Sequence, residues 1–457
     1  MIEYLYEQII RRSHPRFFNV LDGSVFSRAS IELYDDIFAY TQFANQNLFK
    51  KIQKNRIQKL IKISKNNVPF YAERLKNIFS SDNFNELIPL TRTDLRRGIE
   101  SGSIFNKKLI SLGLKQYTSG TAGIPLSILV DPNMLIRRRA LYRRMLRTAG
   151  LNKSITLLRV IDREFLGLEG EGEKFFCRDQ EDFLRNKDLF FKKCRERKII
   201  LHAIPSILLV IAQQIEKTNP TVDFEAIISH AEHLHSETRK YLEKIFNAPV
   251  FDYYASREVI SIGNECEIHE GIHINSEFVF IEILDKTDNP APPDKIGDIA
   301  ITSLDNEIMP LLRYKIGDRG KWLNGQCACG RTLPRIILEG RDIYSFKLPS
   351  GKIGHFFQLT KPLAGLYNKI LQFQFTKDSD LHFTLRIVPL SSLIESEKKY
   401  IANYIKKYLG GGAELKIELV KSIETTSSGK QKSFIDKTNQ KGDGENFSGE
   451  IRNSNFS

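Results

Sequence analysis

A run of small and hydroxyl residues, Tyr117–Pro125, is the first segment of this chain whose composition could support chemistry. Its sequence is YTSGTAGIP. Glycine permits positive φ, so backbone N–H groups can converge on an anion, and the hydroxyl side chains add further donors. The segment predicts a phosphate-binding loop, although an ordinary hairpin turn has the same composition. A Walker loop is excluded, because that motif needs Gly-Lys-Ser or Gly-Lys-Thr at the start of a helix.

Sulfur and imidazole side chains suggest a metal site later in the chain. Cys266 precedes His273 with six residues between them, and one residue separates Cys327 from Cys329. Three thiolates and one imidazole form the closed, tetrahedral ligand set of a structural Zn²⁺. Two alternatives stay open. Cys266 could be a small buried side chain, with the other two cysteines as surface thiols, or His269 could replace His273 as the ligand.

The segment Ile136–Gly150 carries six arginines within eleven positions. Such a density favours either a phosphate-rich partner, such as nucleic acid or an anionic membrane, or a solvated helix with some ion pairs. The segment has no aromatic interleaving of the kind found in RNA-recognition motifs and no helix-turn-helix pattern. The sequence therefore predicts a solvated helix and no specific binding of nucleic acid.

Length and periodicity define the elements that must position these residues. A chain of 457 residues is about three times a typical single domain, so at least two domains are expected. The first hundred residues have helical periodicity, with a break at Pro69 and an N-cap near Thr91. Strand-like runs then alternate with amphipathic stretches, which predicts an α/β architecture. The runs are Ile110–Lys115, Leu126–Val130, Ile155–Ile161, Lys198–Leu201, Ala226–Ser229 and Val279–Leu284.

The predicted domain boundary lies at Gly340-Arg341-Asp342. Beyond it the pattern indicates a compact α+β domain. Its predicted elements are the strands Gln372–Thr376, Phe383–Val388 and Leu415–Val420 and the helix Ser391–Leu409. The sequence thus predicts a large multi-layer α/β domain with a helical leader over residues 1–340 and a small α+β domain over 341–437. Residues 438–457 are polar and glycine-rich, and we expect a disordered tail.

Composition excludes several classes of protein. Hydrophobic residues at 41% and aromatic residues at 10% suffice for a large core, which excludes wholesale disorder. No apolar run reaches the roughly 18 residues that cross a bilayer. Five cysteines are too few for a disulfide scaffold, and the start has no signal-peptide core, so a cytoplasmic location is expected. The net charge of +13 favours acidic partners or substrates.

The order of the motifs resembles that of the adenylate-forming superfamily of acyl-CoA synthetases and ligases. YTSGTAGIP is followed by DYYASRE at Asp252–Glu258, by RYKIGD at Arg313–Asp318, by Gly340-Arg341-Asp342 and by Ser428-Gly429-Lys430. Within that superfamily the chain is most similar to the phenylacetate–CoA ligase family, including relatives in capsular polysaccharide biosynthesis. The resemblance extends from about Asn47 to Lys437.

The resemblance implies a role for each matching residue. Tyr254, followed by Ala255 and Ser256, would stack on adenine, and Asp318 would accept hydrogen bonds from the ribose hydroxyls. Arg341 would lie nearby at the domain junction. The ATP phosphates would be held by Thr118, Ser119, Gly120, Thr121, Ala122 and Gly123. The predicted catalytic residues are Thr118, Glu258, which would hold Mg²⁺, and Lys430, which would stabilise charge from a mobile C-terminal domain.

Similar members of the family have a zinc site at the position of these cysteines. Three other residues depart from the family pattern. Ile124 replaces a lysine that is common in the phosphate loop, and Arg257 stands where Thr or Ser usually precedes the glutamate. Tyr344 lies near the usual position of a hinge acid. A catalytically weak or silent relative in polysaccharide biosynthesis therefore stays an alternative, as does an anion- or nucleic-acid-binding protein.

The predicted function is AMP-forming activation of a small carboxylate by ATP, followed by transfer of the acyl group to a thiol, most simply coenzyme A. The expected ligands are ATP, Mg²⁺, structural Zn²⁺ and coenzyme A. Association into a homodimer stays open. The acid pocket of such an enzyme is built from scattered residues, so the sequence leaves the identity of the acid open as well.

Overall fold

The computed structural model describes residue 35 and residues 37–117, 126–162, 171–341, 345–351, 353–366, 369–410, 412–423 and 433–438. These residues divide into two compact units. The described residues up to 341 form the large unit, and those from 345 onward form the small unit. Within the described ranges, no helix combines the length and the apolar character that crossing a membrane requires.

The large unit begins with helices, as the periodicity predicts. Helix α1 (Gln46–Asn67) ends before Pro69, which occupies the first turn of helix α2 (Pro69–Arg74). Proline is tolerated there because N–H groups in the first turn have no intrahelical acceptor, so the N–H group that proline lacks is not missed. Helix α3 (Arg92–Glu100) starts at a capping box in which Thr91 and Asp94 bond each other's backbone N–H groups. The predicted break and N-cap are both confirmed.

A β-hairpin and a long helix follow. Strands β1 (Leu114–Tyr117) and β2 (Ser127–Val130) pair antiparallel and lead into helix α4 (Pro132–Thr148). The predicted strand Ile110–Lys115 is wrong in its first half, because Ile110–Leu112 is a short 3₁₀ helix. The backbone N–H of Ile110 bonds the Asn106 carbonyl at 3.0 Å, which closes a local turn in place of a strand ladder.

The large sheet has a parallel half. Its strands are β3 (Ile155–Ile161), β4 (Glu173–Phe176), β5 (Lys198–Ala203), β6 (Asp223–His230) and β7 (Val250–Ser256), in the spatial order β4-β3-β5-β6-β7. The connecting helices are α5 (Gln180–Cys194), α6 (Pro205–Thr218) and α7 (Ser236–Phe246). Strands covered on both faces consist of near-continuous apolar residues, and this signal is the reason that the predicted strands in this half are confirmed.

The other half of the large sheet is antiparallel. Its strands are β8 (Ile260–Asn264), β9 (Ile272–Ile274), β10 (Val279–Leu284), β11 (Gly297–Ser303), β12 (Tyr314–Leu323) and β13 (Arg335–Arg341). They follow β7 in the spatial order β8-β9-β13-β12-β11-β10, so that eleven strands of the described chain form one sheet. Ile57 and Leu60 of α1 belong to the same apolar core as Ile262 and Ile301. The helical leader therefore packs on this half of the sheet.

The small unit contains a mixed sheet and a helix. A hairpin of β14 (Ser345–Lys347) and β15 (Ile353–His355) precedes helix α8 (Phe356–Thr360) and a 3₁₀ helix, Lys361–Leu366. Strands β16 (Ile370–Lys377), β17 (His382–Pro389), β18 (Glu414–Leu419) and β19 (Phe434–Asp436) form a sheet in the order β18-β17-β16-β19. Helix α9 (Glu395–Leu409) connects β17 to β18. The predicted fold class is confirmed: a large α/β unit with a small α+β unit.

The arginines of α4 contradict the predicted solvated helix, because three of the six, Arg137, Arg138 and Arg144, are buried and most of the six form ion pairs. Arg144 is 4% exposed, and its Nη1 lies 2.7 Å from Glu277 Oε1. Further ion pairs join α4 to distant segments: Arg137–Asp305, Arg139–Glu171, Arg143–Glu171 and Arg147–Asp35. The arginines of α4 thus stabilise the packing of this helix within the large unit.

Candidate functional site

Two side chains from separate strands meet on one face of the large sheet. Tyr254 lies in β7 and Asp318 in β12, and both are buried. The Tyr254 hydroxyl donates a hydrogen bond to Asp318 Oδ2 at 2.8 Å. The register of β7 against β8 shifts between Tyr254 and Ala255, and such bulges re-aim the side chains beside them. The residues that the resemblance assigns to adenine and ribose therefore lie in direct contact.

Glu258 places a further buried carboxylate just after β7. Its side chain is 9% exposed, and Oε1 lies 3.6 Å from Nη1 of Arg92, the first residue of α3. Ser256 Oγ accepts the Val259 N–H at 3.0 Å, which fixes the turn that carries Glu258. Carboxylate oxygens are the hard ligands that Mg²⁺ prefers, so the chemistry of this side chain fits the predicted metal role.

A cavity of about 400 Å³ lies beside this face of the sheet. Side chains of β9 and β13 give it an apolar wall, and His233, Asp252 and Glu265 give it a polar one. Asp252 and Tyr254 are two residues apart in β7 and share one face. Burial lowers the pKa of His233, and the carboxylate of Asp318 acts in the opposite direction, so His233 stands within electrostatic reach of the Tyr254–Asp318 pair.

The guanidinium of Arg239 pairs with one acidic group of this cavity, Glu265. Arg239 Nη2 donates to both carboxylate oxygens of Glu265 at 2.7 Å. The pKa of Asp252 is raised to about 8, mainly by burial and to a smaller extent by repulsion from Glu265. His269 Nδ1 lies 3.3 Å from Glu265 Oε2 and belongs to this network. The alternative in which His269 replaces His273 as a metal ligand therefore has no support in the geometry.

Cys266, His273, Cys327 and Cys329 converge in the large unit. Their ligand atoms all lie within 4.8 Å of one another, with Cys266 Sγ 3.7 Å from Cys327 Sγ and Cys329 Sγ 3.5 Å from His273 Nε2. A tetrahedral Zn²⁺ with bonds of about 2.3 Å to sulfur spaces its sulfur ligands by about 3.8 Å. The donor set and these two separations thus fit zinc.

The electrostatics of the cluster suit metal binding. Burial lowers the pKa of His273 to about 4, so its imidazole is neutral near pH 7. His273 Nδ1 lies 3.3 Å from the Leu333 carbonyl, and donating its proton there leaves Nε2 as the acceptor that faces the thiols. Burial raises the pKa of Cys266 to about 12. A bound cation would offset the effect of burial on this pKa, because a thiol that coordinates a metal loses its proton.

Several predicted site residues lie outside the described ranges, among them Lys430 and the loop residues Thr118, Ser119, Gly120, Thr121, Ala122 and Gly123. Ile124 and Tyr344 lie outside them as well. The backbone of Arg341 closes β13 and is in register with Asp318 of β12.

The polar wall of the cavity, namely His233, Asp252 and Glu265, was not among the residues predicted from the sequence. A signal for Asp252 was available, because a residue two positions before Tyr254 in a strand must share its face. Glu265 and His233 gave no such signal, since they come from segments that only the assembled sheet brings together.

Comparison with known proteins supports the resemblance. Residues 348–437 match the model of the CapK C-terminal domain family. Phenylacetate-coenzyme A ligase of Thermus thermophilus is 26% identical over 327 residues, which cover 65% of this chain and 73% of that protein. Protein CapK of Staphylococcus aureus is 24% identical over 420 residues, which cover 84% of this chain and 88% of that protein.

A solved structure shares the fold. The crystal structure of 2-hydroxyisobutyryl-CoA ligase in the postadenylation state superposes with a TM-score of 0.71 at 16% identity. The match covers 86% of this chain and 90% of that one. The predicted resemblance is confirmed: the chain is similar to phenylacetate–CoA ligases and CapK, carries a CapK-type C-terminal domain, and has the fold of an adenylate-forming CoA ligase.

Proposed function

We propose that this phenylacetate–CoA ligase-like chain activates a carboxylic acid with ATP and transfers the acyl group to a thiol, most simply coenzyme A. In the first step a carboxylate oxygen bonds the α-phosphorus. The bond from that phosphorus to the bridging oxygen breaks, and pyrophosphate leaves with the electron pair. In the second step the thiol sulfur bonds the acyl carbon, AMP leaves, and the thiol proton passes to solvent.

The observation that carries this proposal is the contact between Tyr254 and Asp318 on the fold of a CoA ligase. A carboxylate is a natural acceptor for the two hydroxyls of a ribose. An aromatic ring beside it provides a stacking surface for a base. The adjoining cavity of about 400 Å³ adds an apolar wall against which a planar base can pack.

Glu258 would hold Mg²⁺, and the bound ion would neutralise negative charge on the phosphates. The chain's own contribution there is a buried carboxylate fixed by the Ser256 turn and by Arg92. The roles of Thr118 to Gly123 on the phosphates, of Arg341 at the junction and of Lys430 on the developing charge are proposed from the resemblance.

The cysteine cluster is proposed to bind Zn²⁺ structurally. Its Cys₃His donor set leaves no open coordination position for a substrate. Cys266 follows β8, His273 lies in β9, and Cys327 and Cys329 lie between β12 and β13. A metal held there would join these segments and have no part in acyl transfer.

A silent relative in polysaccharide biosynthesis is the second candidate function. It is favoured by the extent of the similarity to CapK, which reaches 84% of this chain, and by the matching C-terminal domain. The two candidates differ in one observable, because a silent protein forms no acyl-adenylate with any acid.

The test is acid-dependent release of pyrophosphate from ATP and Mg²⁺ over a panel of carboxylates that includes phenylacetate. Asp318→Asn removes the charge of the ribose acceptor, and we expect the KM for ATP to rise about tenfold or more. Asp298→Asn, a matched change on neighbouring strand β11, is the control and should behave as the parent. Absence of release with every acid, or an unchanged KM in Asp318→Asn, would contradict the proposal.

A further inference from the structure

The chain enters helix α3 beside the strand that carries the proposed ribose acceptor. Leu90 forms a parallel bridge with Tyr314 of β12. The Leu90 N–H donates to the Arg313 carbonyl, and the Leu90 carbonyl accepts the Lys315 N–H, each at 2.9 Å. The bridge therefore fixes the first turn of α3 against the large sheet, on the strand that leads to the candidate site.

Arg92, the first residue of α3, is held there by its backbone neighbours and by none of its own side-chain donors. The capping box of Thr91 and Asp94 starts the helix at this point. Arg74 Nη2 donates to the Ile88 carbonyl at 2.9 Å, which holds the segment that precedes the cap. The backbone of Arg92 is thus fixed, and its guanidinium has no part in fixing it.

The Arg92 guanidinium has donors to spare. A guanidinium carries five N–H donors, and among the described residues none of those of Arg92 makes a hydrogen bond. Its one ion-pair partner within those ranges is Glu258, with 3.6 Å between Nη1 and Oε1, which is longer than a hydrogen bond. Arg92 Nε is buried without an acceptor. Buried donors are rarely left unmatched, so a bound acceptor is expected here.

The side chain of Arg92 also stays within reach of solution. It is 32% exposed, whereas the side chain of Arg144, which packs α4 into the large unit, is 4% exposed. Arg144 also donates hydrogen bonds to Phe38, Asn275 and Glu277. Arg92 lacks both marks of a packing arginine, so its position is that of a group that can meet a ligand.

Arg96 extends the same face of α3 by one turn. Residues four positions apart on a helix are neighbours on its surface. Arg96 is half-buried, and it too forms no hydrogen bond or ion pair with any residue in the described ranges. The face of α3 beside Glu258 therefore presents two guanidinium groups, of which only one has an acidic neighbour.

The segment predicted to hold the ATP phosphates supplies no cation. Tyr117–Pro125 contains neither Lys nor Arg. A triphosphate carries several negative charges, and more negative charge develops on the leaving pyrophosphate as its bond to the α-phosphorus breaks. Backbone N–H groups and hydroxyls donate hydrogen bonds without neutralising that charge. Cationic side chains from another segment are therefore expected to stabilise it.

We propose that Arg92, supported by Arg96, binds the β- and γ-phosphates of ATP and the pyrophosphate that leaves. This inference rests on the proposed function, in which Glu258 holds Mg²⁺ against the same phosphates. A guanidinium fits phosphate oxygens with paired, charge-assisted hydrogen bonds. Because negative charge grows on the β-phosphate oxygens during bond breaking, the donors of Arg92 stabilise the transition state more than bound ATP.

The test compares binding of ATP, AMP and pyrophosphate by calorimetry. AMP lacks the β- and γ-phosphates, so Arg92→Gln should weaken ATP and pyrophosphate about thirtyfold and leave AMP within about twofold. Asp318→Asn should instead weaken ATP and AMP alike and leave pyrophosphate unchanged. A disturbed fold would weaken all three ligands in Arg92→Gln, and that result would overturn the proposal.

Further variants assign the effect to the face of α3. Arg92→Lys keeps the charge without the planar fork and should recover part of the loss. Arg96→Gln should weaken ATP and pyrophosphate by about fivefold. Arg97→Gln, at an exposed arginine of the same helix on another face, is the matched control and should bind all three ligands as the parent does. If Arg92→Gln fails to fold, Arg92→Lys and Arg96→Gln decide.

Repeating the titrations in EDTA separates a direct contact from an effect through Glu258. A direct contact with phosphate keeps the loss in Arg92→Gln when no metal is present. A loss that disappears in EDTA would show that Arg92 only positions the metal-binding carboxylate, and it would overturn the proposal. In turnover, kcat/KM for ATP should fall about a hundredfold in Arg92→Gln.

The outcomes separate this inference from the proposed function. Acid-dependent pyrophosphate release by the parent, with unchanged ATP and pyrophosphate binding in Arg92→Gln, would overturn the inference and leave the ligase function intact. Phosphate-dependent binding that Arg92→Gln weakens, without pyrophosphate release from any acid, would support the inference and overturn the ligase function. A parent that binds neither ATP nor pyrophosphate would overturn both.

Discussion

At the scale of single residues, Asp318 and Lys430 have different predicted effects on one reaction. Asp318 is proposed as a ground-state contact with the nucleotide, so its loss should appear in ATP affinity. An ammonium near the α-phosphate acts mainly as negative charge builds toward the transition state, so its loss should appear in rate. The distinction gives Lys430 a kinetic signature that a surface lysine lacks.

Lys430→Ala should reduce formation of the acyl-adenylate by about a hundredfold, as expected for one well-placed electrostatic stabiliser. Nucleotide affinity should change little, and thioester formation from supplied acyl-adenylate should fall less. Single-turnover pyrophosphate release measures the first step. Lys437→Ala, which removes a lysine paired with Asp378 in the small unit, is the matched control. Release at the parental rate in Lys430→Ala would contradict the assignment.

The sequence indicated some site residues by type and missed others that the fold alone brings together. The convergence of Cys266, His273, Cys327 and Cys329 could be predicted because cysteine and histidine at short spacing have few other uses. Tyr254 and Asp318 were identified by resemblance, since 64 positions separate them. The contact between His202 and His230 could not be predicted, because each lies at or next to the end of an apolar strand, where a lone histidine has no distinguishing pattern.

At the scale of elements, a metal held by the cysteine cluster would join segments that no disulfide connects in the described chain. The prediction is that Cys327→Ser removes bound zinc and lowers the melting temperature by several degrees, with a smaller effect on turnover. Cys177→Ser, at a cysteine outside the cluster, should retain one zinc per chain. Elemental analysis and thermal unfolding measure both effects. Parent protein with far less than one zinc per chain and freely titratable thiols would contradict the prediction.

Helix α4 offers a second element-scale prediction. Arg144 is buried against Glu277 and also bonds the Phe38 carbonyl, so Arg144→Ala would leave a buried carboxylate uncompensated. We expect it to lower the free energy of unfolding by about 3–5 kcal/mol. The same change at Arg147, whose side chain is 49% exposed, should cost less, because its partner Asp35 keeps a second contact with Arg143. Urea titration compares the two, and equal effects would show that burial does not decide the outcome.

Element boundaries followed from the sequence where the local pattern and the packing agree. Ile155–Ile161 and Val279–Leu284 match the observed strands because a buried strand is a continuous or alternating apolar run. The predicted strand Ile110–Lys115 is wrong in its first half, because the Asn106 carbonyl accepts a hydrogen bond from the Ile110 N–H. The burial of the α4 arginines could not be predicted, since their acidic partners lie as far away as Asp305.

At the scale of the whole molecule, the net charge of +13 overstates the positive surface. The arginines that make the sequence look suited to nucleic acid are largely engaged inside the large unit. We therefore expect only weak, non-specific association with DNA or RNA, supported by phosphate neutralisation alone. Fluorescence anisotropy with labelled oligonucleotides should show binding that disappears steeply as salt rises. Tight, sequence-selective binding at physiological salt would contradict this expectation and the ligase function.

The packing of the helical leader has a consequence for protein synthesis. Arg56 Nη1 donates to the Glu277 carbonyl, and the Tyr71 hydroxyl donates to the Pro310 carbonyl, across 221 and 239 positions of the chain. At about 5–20 residues per second, roughly 10 to 50 seconds of translation separate these partners. The apolar face of α1 therefore emerges from the ribosome long before the strands that cover it. Nascent chains that stop before Glu277 would carry this face uncovered, and they should be substrates for chaperones or aggregate.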